Sequence, residues 1–319
     1  MNRRTYLKLA CLAGGAALTQ PRGLLASALT VAERNAAKPD QSAPLGLQLF
    51  TVREQLQADV RKTLMTIGAI GYREVELFGF GGNLFIDNPL FGLTPSEFKA
   101  ALGEAGLTAP AAHVSGRIEN IAEAAGVAHA LGVKYLIVSM APEFLSVRDG
   151  KVVVSGVTGR DQIDRIAARL NRQGEECRTN GIDFGYHNHH MEFAAIGDEC
   201  AYDYLVAQTE PALVKLELDA GWAGAAGVDP GQYVTRYADR VIACHLKDFD
   251  PSLPLSDDRE RYPIPEQSQM TEPGSGKIDF SRLVEALNKA DVRHRFVEID
   301  VAPEPLQSIE RGFQYLSNL

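Results

Sequence analysis

Ile182-Asp-Phe-Gly-Tyr-His-Asn-His189 is a short apolar run that stops in histidines, and it follows a helical stretch from Asp161 to Cys177. Helix, brief loop, then strand is the unit from which a parallel sheet with right-handed crossovers is built. A strand alternates its side chains between two faces, so His187 and His189 share one face while Tyr186 and Asn188 take the other. Two imidazoles on one face at a strand end suit a metal ion, a substrate or a proton transfer. A solvated loop with local hydrogen bonds is the competing reading of the same residues.

The pattern repeats outward from that strand along most of the chain. Upstream lie the apolar runs Leu45 to Phe50, Tyr72 to Phe78, Thr108 to Val114 and Lys134 to Met140; downstream lie Val214 to Asp219, Val241 to Lys247 and Arg295 to Asp300. Helical stretches separate or follow them. One runs through Val60, Leu64, Ile67 and Ile70, and another opens at Thr94-Pro-Ser-Glu97, with an N-cap, a first-turn Pro and a Glu three residues on. Others cover Pro230 to Ala238, Phe280 to Ala290 and Pro305 to Leu316. Lys151-Val-Val-Val-Ser155, behind Asp149-Gly150, reads as a hairpin insertion rather than a further strand of the sheet. Eight strand–helix units predict an α/β fold, a single-domain closed (β/α)8 TIM barrel over residues 45–319. The length of 319 residues suffices, since such a barrel takes about 250. No Gly-x-Gly-x-x-Gly follows the first strand and no Gly-Lys-Ser/Thr loop occurs, which weakens dinucleotide and nucleotide readings. Phe78-Gly-Phe-Gly-Gly82 reads as a flexible loop, and the Pro- and charge-rich stretch Asp248 to Gly276 as one wall of a site.

The first residues read differently. Arg3-Arg4 and Lys8 precede the apolar run Leu9 to Leu18, and Ala26-Ser27-Ala28 supplies a small-residue cleavage site. The order resembles a twin-arginine export signal over residues 1–28, followed by a linker over 29–44. The apolar run is broken by Gly14 and Gly15 and is too short to span a bilayer, so no stable membrane anchor is expected after cleavage. Export places the mature chain in the periplasm or beyond. Loss of Arg3, Arg4, Lys8 and Arg22, four positive charges, takes the formal charge from −9 to −13. So acidic a surface opposes a phosphate backbone, which excludes general nucleic-acid binding. With 45% hydrophobic and 23% charged residues the composition is that of an ordinary soluble enzyme and names no function. Cys177, Cys200 and Cys244 remain after the leader, an odd number without a Cys-x-x-Cys pair, so at most one bridge is available, at least one thiol stays free, and Cys177 and Cys244 read as packing residues.

Barrel chemistry sits where strands finish. Glu76 falls near the end of the second strand, His113 at the third, His187 and His189 at the fifth, Asp219 at the sixth, His245 and Lys247 at the seventh, and Glu298 and Asp300 at the eighth. Parity places Glu217 with Asp219, His245 with Lys247, and Glu298 with Asp300. Imidazoles mixed with carboxylates suit a divalent ion, Mn²⁺, Zn²⁺, Co²⁺ or Mg²⁺, with positions left for a substrate. Such an ion polarises a carbonyl or hydroxyl while a nearby Glu or His moves a proton. A ring of salt bridges around the barrel mouth is the alternative. Trp222 offers a sugar ring an apolar face or belongs to the core. Glu76 and His113 touch substrate, or they are a paired carboxylate and a satisfied core histidine.

Leu218-Asp219-Ala-Gly-Trp222, Cys244-His245-Leu-Lys-Asp248, Gly274-Ser-Gly-Lys-Ile-Asp279 and Phe296-Val-Glu298, with Tyr186-His-Asn-His189, resemble the xylose isomerase-like TIM-barrel family of sugar phosphate isomerases and epimerases. The resemblance runs from Leu45 to the C-terminus. It implies a metal held by Asp219, His245 and Glu298, with His187 standing where the family has a glutamate. Trp222 likewise replaces the last residue of an Asp-x-x-His motif. Epimerases of this family use two metal-bound glutamates on opposite substrate faces, and here only Glu298 remains as a base. His189 or His113 then serves as the second acid or base, and Lys247 stabilises an oxyanion.

These residues lead to an enzyme that moves a proton next to a carbonyl of a non-phosphorylated sugar or keto-sugar, an isomerase or epimerase with a small carbohydrate as its partner. A lyase eliminating the substituent of a 3-keto-glycoside is the nearest alternative, and a barrel that binds sugar without catalysis is another. An apurinic endonuclease of the same family calls for more histidines and a basic groove. Homo-oligomerisation is left open.

Overall fold

A computed structural model describes residues 43–82, 88–148, 151–257 and 264–319. The expected leader, and the linker up to residue 42, lie outside the described residues. Eight strands form one closed parallel barrel: β1 Leu45–Gln48, β2 Glu74–Phe80, β3 Thr108–Val114, β4 Tyr135–Val138, β5 Asp183–His187, β6 Lys215–Asp219, β7 Val241–Leu246 and β8 His294–Val297. Each strand pairs with its neighbour in sequence, and β1 closes the ring on β8 through Leu45 opposite Arg295 and Leu47 opposite Val297.

Alternation builds two cores. Outward positions such as Leu47, Val75, Leu77, Leu136, Tyr186, Leu218 and Cys244 join the large apolar cluster with the helices. The helix Arg160–Thr179 meets it with Ile163, Ile166, Ala167, Leu170 and Cys177, spaced three and four apart. Inside the barrel Ala111, Ile137, Ala243 and Phe296 form a separate layer. Phe296 fills it only because β1 offers Gly46, where a Cβ would lie 2.4 Å from the ring. This apolar layer is a floor, and the next inward positions of each strand stand above it, on the C-terminal side.

The capping box expected at Thr94 is present on the helix Pro95–Glu104. The expected hairpin is also there, Leu145–Arg148 paired with Lys151–Val154. Phe78 to Phe80, by contrast, continue β2 and are buried, so the flexible loop expected from Phe78 begins only beyond the strand. β5 and β8 end earlier than expected, which leaves His189, Glu298 and Asp300 just past their strands. Asp248, next to β7, ties down the loop that follows: Oδ1 accepts from Phe249 N and Ile278 N, and Oδ2 from Gly274 N and Gly276 N, at 2.8–3.0 Å. Cys177, Cys200 and Cys244 are free thiols. Among the described residues no helix is long and apolar enough to cross a membrane.

Candidate active site and metal centre

Asp219 ends β6 and caps the helix Ala220–Ala225, its Oδ1 accepting from Trp222 N at 2.8 Å. The cap fixes the carboxylate, so Oδ2 turns towards His187 Nε2 (3.7 Å), His245 Nδ1 (3.5 Å) and Lys247 Nζ (3.0 Å). Glu298 Oε2 joins this pole, 2.9 Å from His245 Nδ1 and 2.6 Å from Lys247 Nζ.

A deeper layer orients the imidazoles. Gln48 Oε1 accepts from Phe50 N, so its Nε2 is the group that donates to Glu76 Oε2 at 2.7 Å. Glu76 Oε2 is therefore an acceptor, and His245 Nε2, 2.6 Å away, donates to it. Glu217 Oε2 lies 2.7 Å from His113 Nε2 and 3.1 Å from His187 Nδ1. Burial opposes its charge, but His245 and His113 outweigh burial and hold Glu217 well below the ordinary carboxylate range. An ionised carboxylate only accepts, so both inner nitrogens carry protons. His187 Nε2 and His245 Nδ1 are left facing Asp219, the arrangement by which a second layer aims imidazole ligands.

The donor atoms of Asp219, His245 and Glu298 all lie within 4.8 Å of one another, and His187 reaches the same pole through Nε2. Nitrogen and carboxylate donors of this kind fit a divalent ion. Burial opposes charge on His245, yet Glu217, Glu298 and Glu76 hold its pKa well above the usual imidazole range. The surroundings thus call for positive charge at Nδ1, which a proton or a metal supplies. His113, His187, Glu217 and His245 form a second close group. There Glu217 Oε2 already receives two imidazole hydrogen bonds, from His113 and His187.

Lys247 is buried with its Nζ also 2.6 Å from Asp300 Oδ2. Burial would discharge it, but Asp219, Asp300 and Glu298 outweigh that cost and keep its pKa well above the lysine norm. Its stem passes Gly221, where a Cβ would lie 2.5 Å from Lys247 Cγ. His189 is placed on the cavity wall with its ring between those of His187 and Trp222, at 5.1 and 5.2 Å. Burial, and then the charges of His187 and Lys247, hold its pKa well below normal, and its Nδ1 is buried without a hydrogen-bond partner. Glu192 supports this segment, accepting from His189 N at 3.1 Å and from Tyr186 OH at 2.6 Å. Burial pushes Glu192 up to about 7.

The cavity above these groups has a volume of about 310 Å³ and is lined by His113, His187, His189, Trp222, Lys247 and Glu298 among others. Asp219, His245 and Glu76 do not line this cavity, and of these three Glu76 alone is read from sequence as a substrate contact. It lies beneath the cavity, fully buried, because its carboxylate is taken up by Gln48 and His245. Glu217, Gln48 and Asp300 complete the network without having been assigned a role from sequence. Glu217 and Asp300 were visible by parity, and Gln48 as a polar residue in an apolar run. The expected wall from the 248–276 loop is present as Ile264 and Gln267, the latter donating to Asp300 Oδ1 at 3.3 Å.

A family profile described as a xylose isomerase-like TIM barrel matches residues 66–319. An inosose dehydratase of Lacticaseibacillus casei is 29% identical over 171 residues, 51% of this chain and 55% of the relative. The chain's match thus spans about half the length of that curated relative. A sugar phosphate isomerase/epimerase structure from Parabacteroides distasonis superposes with a TM-score of 0.69 at 22% identity, covering 87% of this chain and 99% of that one. A D-allulose 3-epimerase from Methylomonas sp. in complex with D-allulose gives 0.60 at 15% identity, covering 87% and 97%. At these identities the two structures show a shared fold.

Two outcomes follow from the buried network. Glu217→Gln weakens binding of Zn²⁺ or Mn²⁺ about 10- to 100-fold by calorimetric titration, because the inner proton of His187 loses its anionic partner; an unchanged affinity contradicts the second-layer role. Glu192 has a folded pKa raised from 4.5 to about 7, so its protonated form is favoured by folding. Its contribution is fully present below 4.5 and is lost as pH rises through 7. The melting temperature of the wild type therefore falls relative to Glu192→Gln across that window, and parallel curves would count against it.

Proposed function

The chain belongs to the xylose isomerase-like TIM barrel family, and on that premise we propose that it is a metal-dependent carbohydrate lyase. It removes a proton from the carbon next to a carbonyl and expels the oxygen substituent on the following carbon. The observation that carries this reading is His189, whose side chain lines the cavity beside the metal-capable pole while its Nδ1 is buried without a hydrogen-bond partner. Asp219, His245 and Glu298, with His187 as the fourth ligand, would hold the ion, which when bound polarises the substrate carbonyl. His189 takes the proton as general base. Lys247, held charged by three carboxylates, sets a fixed positive charge beside the oxygen on which negative charge gathers. His189 then returns its proton to the departing oxygen. One C–H and one C–O bond break, a C=C bond forms, and water or an alcohol leaves without any co-reactant.

Elimination is preferred to epimerisation because one base on one face suffices for it. Glu298 is committed between Lys247 and His245, and the strand-five position that would carry a second carboxylate carries His187, itself bonded to Glu217. The name of the Lacticaseibacillus relative denotes the same class of reaction. The substrate is a non-phosphorylated keto-sugar or keto-glycoside, met outside the cytoplasm after twin-arginine export.

With a divalent ion supplied, methyl 3-keto-β-glucoside is expected to release methanol and leave an unsaturated keto-sugar, while D-fructose stays unchanged. His189→Gln slows release about 10²- to 10⁴-fold with metal content intact. Inversion of D-fructose at C3 without methanol release would establish an epimerase instead, and consumption of neither substrate would sink both. Residues 1–28 fused to a reporter carry it to the periplasm, and replacing Arg3 and Arg4 with Lys blocks transport; passage of the doubly substituted fusion removes the export reading.

A further inference from the structure

Barrel topology divides the cavity into two chemically different halves. In the closed order β5, β6, β7 and β8 are contiguous, as are β1, β2, β3 and β4. The first arc brings His187, His189, Lys247, Glu298 and Asp300 to the wall, with Trp222 the one aromatic hydrocarbon face among them. The second brings Phe50, Phe78 and Met140 from beyond β1, from β2 and from beyond β4, and the inserted hairpin adds Leu145 and Val154. Phe50 and Phe78 meet edge to face at 5.3 Å, so this side is a packed aromatic surface rather than scattered apolar contacts. Its polar members are His113, Ser115, Ser139 and the exposed Arg117, while the loop after β7 adds Ile264 and Gln267.

A free sugar presents hydroxyl groups on every edge. Against the Phe50, Met140 and Leu145 side those groups lose water and gain few partners, which is unfavourable. A molecule with hydroxyl groups at one end and an apolar group at the other matches both halves.

We propose that the cavity takes a sugar bearing a bulky apolar substituent, an aryl glycoside, with the sugar at the β5–β8 arc and the aglycone against Phe50, Phe78, Met140, Leu145 and Val154. The choice of reacting end rests on the lyase reading; the choice of binding end rests on the cavity alone. The hairpin is an insertion that the barrel does not need for closure, and it places two of the five apolar residues. In the reaction the aglycone is the departing group, so its oxygen lies where the two halves meet.

Phenyl β-D-glucoside and methyl β-D-glucoside, which lack the carbonyl and cannot react, separate binding from chemistry. By calorimetric titration of the metal-loaded protein the phenyl compound binds at least about tenfold tighter, equivalent to about 1.4 kcal/mol. Leu145→Asp and Val154→Asp, checked for an unchanged melting temperature, bring the two affinities together. Equal affinities in the wild type, no binding of the phenyl compound at millimolar concentration, or a phenyl advantage that survives both substitutions overturns the proposal. Phenyl 3-keto-β-glucoside reports on the other question. Tight phenyl binding without turnover of this compound leaves the apolar subsite standing and removes the lyase reading; turnover with equal affinities does the reverse.

Discussion

Two hydrogen bonds inside the barrel, His187 Nδ1 to Glu217 and His245 Nε2 to Glu76, govern what the rest of the site can do. Each settles which nitrogen of a buried ring carries the proton, and each therefore points the other nitrogen at Asp219. Carboxylates buried this deeply persist only with charged or hydrogen-bonded partners, and the imidazoles are those partners. The apolar floor of Phe296, Ala111, Ile137 and Ala243 makes the arrangement rigid by leaving the carboxylates no room to sink. Ligand geometry is thus set from below, by residues that do not face the cavity.

Lys247 has the complementary task. Asp219, Glu298 and Asp300 converge on its ammonium, and without a cation among them their mutual repulsion would push the strand ends apart. Lys247 also lines the cavity, so the charge that balances these carboxylates lies close to whatever the cavity holds. His189 differs from all of these. Burial outweighs the nearby Glu298 charge and holds its pKa well below the usual imidazole range, and its Nδ1 is buried without a hydrogen-bond partner.

The barrel was legible because period-two apolar runs alternate with amphipathic helices, and that pattern survives in a single chain. Asp219, His245 and Glu298 were legible as polar residues at strand ends, where no core requires them. Glu76 shows the limit: its sequence position put it near a strand end but could not give its depth, which depends on Gln48 reaching across from β1. Strand ends were overrun by two or three residues at β5 and β8, because the polar residues past each end keep the strand's alternation while leaving its hydrogen-bond ladder. The two-sided cavity was not legible at all. It requires knowing that Phe50, Phe78, Met140 and Leu145, distant in sequence, share one arc of a closed ring.

With His187 and His245 oriented by the inner carboxylates, two imidazoles and two carboxylates are expected to share one cation position. X-ray absorption at the metal edge of the Zn²⁺-loaded protein tests it most directly. Two imidazole nitrogens and two carboxylate oxygens are expected at about 2.0–2.2 Å, with the imidazole count reduced in His187→Ala. A first shell with three imidazoles that loses one in His113→Ala would place the ion in the deeper group and contradict the account.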